Sequence, residues 1–114
     1  MKAYTDLEQS KKLAKILPLE SADMRFCFSH TLGGRITGHY PMIGREPSLG
    51  TIPCWSLAAL LNALPYPSLH KTCIGWRCDS YNKEGTSCIL GEPLDNPIDA
   101  CYEMIIELNK RKLL

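Results

Sequence analysis

At 114 residues the chain has the length of one domain, expected to span 1–114, and 45% apolar with 22% charged residues is a globular balance, not a disordered one. Thirteen Lys and Arg against twelve Asp and Glu leave a net charge of +1, without the basic excess of a strongly electrostatic nucleic-acid binder or a polybasic membrane anchor. The longest unbroken apolar run, 57–61, is far short of the roughly 20 residues that cross a bilayer, and the charges of Lys2, Asp6, Glu8, Lys11, Lys12 and Lys15 argue against a signal-peptide core. A cytoplasmic protein is expected, with no contact to membrane.

The first element expected is a helix over 5–17. Thr5 and Glu8 have capping-box spacing, Leu7, Ala14 and Leu17 share a face with Leu13 beside it, and Pro18 ends the element. Residues 24–29 alternate as a half-buried strand does. Gly33-Gly34 reads as a turn, and 35–37 as a second, returning strand. The stretch 38–53 is rich in Gly and Pro and long for a connection, so it is expected to be a loop with a function or a poorly ordered segment.

The central segment 53–65 is bracketed by prolines and reads as a second helix, with Pro53 at its first position and Pro65 as its stop. Leu57, Leu60, Leu61 and Leu64 form an i, i+3, i+4, i+7 stripe. Ala58, Ala59 and Ala63 make the other sides apolar too, so this helix is expected to be buried on more than one face, within the chain or against a partner. Residues 70–78 read as one strand, with Ile74 and Trp76 on one face and Cys73 and Arg77 on the other. A turn at 82–85 leads to a return strand over 86–90. The last helix is the clearest: Asn96 caps it, Pro97 starts it, and Ile98, Cys101, Ile105 and Leu108 form its core stripe. The expected fold is α+β, in the order α-β-β-α-β-β-α, with one antiparallel sheet of about four strands and three helices packed on it.

The segments 1–23 (MKAYTDLEQSKKLAKILPLESAD), 51–61 (TIPCWSLAALL) and 95–105 (DNPIDACYEMI) resemble a group of small proteins of gut anaerobic bacteria and their phages or mobile elements. Together they cover nearly half of the chain and all of its expected helices. The resemblance implies a small accessory protein, possessing no known activity, and supplies no catalytic residues.

Several chemical readings compete with plain packing. Cys54, followed by Trp55 at an expected helix N-terminus, is the strongest nucleophile candidate, since free N–H groups and the helix dipole favour a thiolate. Its only downstream histidine is His70, which is too close in sequence for the papain pattern. Buried packing is therefore the expected role of Cys54 and Trp55. Cys73, Cys78 and Cys88, with His70 nearby, fall short of paired zinc-ligand spacing, as does the set Cys27, His30 and His39, so no metal and no other cofactor is expected. The six cysteines are expected to be reduced and mostly buried, because neither an export signal nor a Cys-x-x-Cys motif is present. Arg25, Arg35 and Arg45, interleaved with Phe26, Phe28 and Tyr40, form a weak candidate surface for single-stranded nucleic acid. The reading favoured by the sequence is a non-catalytic module that binds a protein partner or a second copy of itself, with Leu57, Leu60 and Leu61 as the candidate partner surface. A nucleic-acid-associated protein is the alternative, and a cysteine-dependent hydrolase built on Cys54 and His70 the outlying one.

Overall fold

The computed structural model describes residues 2–30, 36–43 and 51–114, with side-chain surroundings for 2–26 and 51–114. Three helices and six strands alternate along it. They are α1 (Leu7–Leu13), β1 (Met24–His30), β2 (Ile36–Ile43), β3 (Ile52–Cys54), α2 (Leu57–Ala63), β4 (Pro67–Thr72), β5 (Gly75–Tyr81), β6 (Cys88–Ile89) and α3 (Pro97–Lys110). A single 3₁₀ turn, Leu19–Ser21, follows α1. The fold is α+β as expected, but the strands divide into two antiparallel sheets of three, β2-β1-β3 and β4-β5-β6, and do not form one sheet.

The first sheet differs from expectation at both edges. The 38–53 stretch is no simple connection: β2 continues to Ile43, and Ile52–Cys54 pairs with the other side of β1. Pro41 and Pro53 both lie in edge strands, where a missing N–H interrupts no inner ladder. The expected turn at Gly33-Gly34 and residues 44–50 lie outside the described residues.

Because Ile52–Cys54 is a strand, α2 starts later than Pro53. Ser56 is its cap, accepting from the Ala59 N–H at 3.3 Å, and the Asp23 carboxylate takes both the Ser56 N–H and its hydroxyl. Pro65 disfavours helical geometry at Leu64, which is already extended. The start of α1 also moves, because Asp6 and Gln9 form the capping box in place of Thr5 and Glu8. Thr5 is instead wholly buried and exchanges hydrogen bonds with Trp55, its N–H donating to the Trp55 carbonyl at 2.9 Å and its Oγ1 accepting from the Trp55 N–H at 3.1 Å.

The stretch expected as one strand over 70–78 is a tight hairpin. Thr72 pairs with Gly75, leaving Cys73 and Ile74 as the loop, and Ile74 is 75% exposed. The Thr72 hydroxyl donates to the Gly75 carbonyl at 2.7 Å and accepts from the Ile74 N–H at 3.3 Å. Gly75 has φ +144°, and a Cβ there would lie 2.6 Å from the Leu94 carbonyl oxygen. Period-2 alternation then holds on both arms: Leu69, Trp76, Cys78 and Ile89 belong to the α3-facing core, while His70, Arg77 and Asp79 occupy the opposite face. The expected return strand over 86–90 is reduced to Cys88–Ile89, and further along β5 Trp76 and Leu94 exchange a pair of backbone bonds at 2.7 and 2.8 Å.

The core is built on α3. Asn96 accepts from the Asp99 N–H at 2.9 Å, Pro97 opens the first turn, and Ile98, Cys101, Ile105 and Leu108 are each at most 1% exposed. Leu13, Trp55, Leu60 and Cys78 close around them. Replacing Ile105 by Ala removes fully buried methylenes and leaves a cavity, a cost of roughly 2–5 kcal/mol. Glu107→Ala loses only an exposed i,i+4 pair with Arg111, within about 0.5 kcal/mol. Thermal or urea unfolding of the two variants is expected to separate clearly; coincident transitions would mean that the stripe is misassigned.

Candidate functional site

Among the described residues, those singled out in the sequence do not assemble into one place. Cys54 sits in edge strand β3, ahead of the α2 cap, and its side chain is 0% exposed. It therefore gains no helix N-terminus, and a substrate has no open approach to its sulfur. His70 belongs to the other sheet, opposite Arg77, with its Nε2 3.7 Å from Asp79 Oδ2. Leu60 is wholly buried, and Leu57 and Leu61 pack half-buried against the same core, so the candidate partner leucines serve the interior. Ala58 and Asn62 are what α2 shows to water. Arg25 is half-buried in central strand β1 between Met42 and Pro53, while Arg35 and Arg45 lie outside the described residues. Cys27, His30 and His39 also have no described side chains. Among the described residues no three His, Cys, Asp or Glu side chains are grouped to hold a metal ion, and no helix is long and apolar enough to cross a membrane.

Two polar constellations emerge only in three dimensions. The first is Asp79, 1% exposed on β5. One carboxylate oxygen accepts from the Gly91 N–H at 3.0 Å, and the other takes Arg77 Nη2 at 3.2 Å beside His70. Gly91 passes so close to β5 that a Cβ would lie 2.1 Å from the Cys78 carbonyl oxygen. This carboxylate replaces the ladder bonds that the irregular strand edge lacks, which is a structural task.

The second constellation joins the N-terminal segment to α3. Lys2 Nζ donates to Asp99 at 2.8 Å, Asp6 at 3.0 Å and Gln9 at 3.3 Å, and Gln9 donates to Asp99 at 2.8 Å. Burial raises the Asp99 carboxyl, but hydrogen bonds from Lys2, Gln9 and Asn96 outweigh it and hold Asp99 below the usual carboxylate range. Asp6 is likewise held low, with burial opposing and the Gln9 N–H and Lys2 prevailing. Burial opposes the charge on Lys2 as well, yet Asp99 and Asp6 raise it above the ordinary lysine value.

This network forms one wall of a groove of about 700 Å³. Buried Ala100 and Met104 of α3 line it, together with Ile89, Leu90 and Leu94 from the strand edge, and Leu90 is 64% exposed. Its polar lining holds five carboxylates, Asp6, Glu92, Asp99, Glu103 and Glu107, against two cations, Lys2 and Arg111. Lys2 and Arg111 engage Asp6, Asp99 and Glu107, which leaves Glu92 and Glu103 without an ion pair among the described residues. Asp99, Glu103 and Glu107 follow one another at i, i+4 on a single helix face. Such like-charge neighbours cost a helix roughly 0.2–0.5 kcal/mol per pair. That row was legible in the sequence as an i, i+4 spacing. Its meeting with Leu90 and Lys2 was not. A concave surface with an apolar base and a few placed charges can bind, and among the described residues its lining holds no nucleophile–base pair.

No protein family, curated protein or solved structure matches this chain.

Two outcomes follow from this geometry. Among the five cysteines with described side chains, Cys54, Cys78 and Cys101 are buried, while Cys73 and Cys88 are exposed free thiols, a more even division than the mostly buried set expected. Thiol alkylation of native protein, mapped by peptide mass, is expected to mark Cys73 and Cys88 and to reach Cys54, Cys78 and Cys101 only after denaturation. Labelling of Cys54 in the native state would contradict the placement of β3.

The Lys2 bridge also sets a pH dependence. The folded-state values of Asp6 and Asp99 are depressed, so their contribution is complete above the unfolded carboxylate value of about 4 and is lost as pH falls through the lower folded values. The raised Lys2 value adds a contribution present below about 10.5 and lost as pH climbs through the folded value. As pH falls below about 4, Tm is expected to fall less steeply in Lys2→Met than in the wild type. The difference is modest and shrinks in salt, because these groups are partly exposed. Parallel acid arms would show that the bridge is energetically silent.

Proposed function

We propose that this protein is a non-catalytic protein-binding module, an accessory protein of the phage or mobile-element kind acting in the cytoplasm, and that its partner docks in the groove beside α3. One observation carries this reading: the groove, about 700 Å³ in volume, exposes Leu90 among half-buried Ile89 and Leu94 at an irregular strand edge. An exposed leucine in a concavity offers an apolar contact, since burying its remaining surface under a partner contributes up to about 1.5 kcal/mol. Leu57, Leu60 and Leu61 offer less to a partner, because Leu60 is wholly buried and Leu57 and Leu61 are half-buried against the same core. The carboxylates of the groove would repel phosphates, which weighs against the nucleic-acid alternative at this surface.

Site-specific photo-crosslinking in cells that naturally make the protein tests the reading. A benzophenone side chain at position 90 is expected to give a discrete adduct with one protein, and the same group at Leu19, exposed on the 3₁₀ turn after α1, is expected to give none. Indistinguishable, diffuse adducts from both positions would overturn the docking role. Leu90→Asp is expected to abolish the adduct partner's co-purification while leaving Tm near the wild-type value, since that side chain is mostly in water.

A further inference from the structure

We infer that the segment received by this groove is basic and extended, with cationic and apolar residues alternating along it. The inference rests on the docking role proposed above and supplies the chemistry of the partner. The charge excess in the groove is local: the whole chain carries +1, yet the groove has five carboxylates to two cations. Lys2 and Arg111 satisfy three of those carboxylates, so Glu92 and Glu103 stand free to pair with an incoming cation.

Spacing selects an extended chain. Residues at i and i+4 of α3, such as Glu103 and Glu107, are about 6 Å apart along the helix axis. Alternate side chains of an extended segment recur about every 6.6 Å on one side. Cations at every second position therefore keep step with Glu103 and Glu107, whose exposed pair with Arg111 is weak enough to exchange for an incoming cation, and the residues between them are left for the apolar lining of the groove, Leu90 among it. Attraction of this kind mainly selects the partner and speeds encounter, and it weakens as salt is added.

The test uses fluorescently labelled octapeptides of alternating Lys-Leu, Ser-Leu and Glu-Leu, with binding to the full chain read by anisotropy. The Lys-Leu peptide is expected to bind at least about tenfold more tightly than Ser-Leu, with Glu-Leu weakest. Glu103→Lys is expected to reduce Lys-Leu binding about tenfold. Glu84→Lys, the same change of net charge in the exposed turn before β6, is expected to leave it unchanged. Equal affinity for Lys-Leu and Ser-Leu, with both abolished by Leu90→Asp, would overturn the cationic preference and leave the groove as a docking site. Equal losses from Glu84→Lys and Glu103→Lys would show diffuse attraction to the whole protein and overturn the inference. Binding unaffected by Leu90→Asp and Glu103→Lys alike would overturn the inference and the docking role together. Sedimentation of the protein alone is the last arm: a dimer that Glu103→Lys dissolves would make a second copy the occupant and overturn the assignment to a basic segment.

Discussion

Trp55 is the residue on which the rest of the structure closes. Its indole is wholly buried, at the end of β3 and just before the α2 cap, and a tryptophan buries roughly 150–250 Å². Burial on that scale is favourable only if the polar atoms beneath it are satisfied. Ser21 Oγ accepts from the indole N–H at 3.0 Å, and Thr5 bonds the Trp55 backbone in both directions. The N-terminal segment, the 3₁₀ turn after α1 and the connection between the first sheet and α2 are thereby held at one point. The Thr5 hydroxyl is shared with Ser10 of α1 at 2.7 Å, so the bonds continue into the first helix.

The N-terminal segment held at Thr5 also carries Lys2, which bonds Asp6 within the segment and reaches across to Asp99 at the start of α3. One segment thus serves two ends: its buried threonine secures the tryptophan, and its lysine ties down the helix that carries most of the core. The groove is the solvent-facing consequence. Its Lys2 wall exists because the segment is pinned, and its Leu90 wall exists because the chain leaves the β5 ladder after Ile89 and returns at Leu94.

That detour is costly for an ordinary backbone, and its chemistry is specific. Gly91 crosses above the Cys78 carbonyl where no side chain fits, and Asp79 takes the N–H that would otherwise be orphaned. Arg77 and the neighbouring His70 then face a carboxylate already committed to backbone. A buried aspartate beside a histidine invites a catalytic reading, but here the backbone bond from Gly91 gives it a structural purpose.

The sequence by itself determined the α+β class and the helices α1 to α3, most completely α3, whose cap at Asn96, proline at the first position and stripe of Ile98, Cys101, Ile105 and Leu108 all stand as expected. Those features are local, because a 3.6-residue period and a capping side chain act within a few positions of each other. Tertiary structure decided what depends on a distant partner. Residues 52–54 became a strand because β1 offered an edge, and that moved the α2 start to Ser56 and removed Cys54 from any helix N-terminus. The hairpin loop at Cys73-Ile74 turned on Gly75, whose close approach to Leu94 no neighbouring residue announces. The groove is the extreme case: Lys2 meets Asp99 across 97 positions, and no periodicity in the sequence reaches that far.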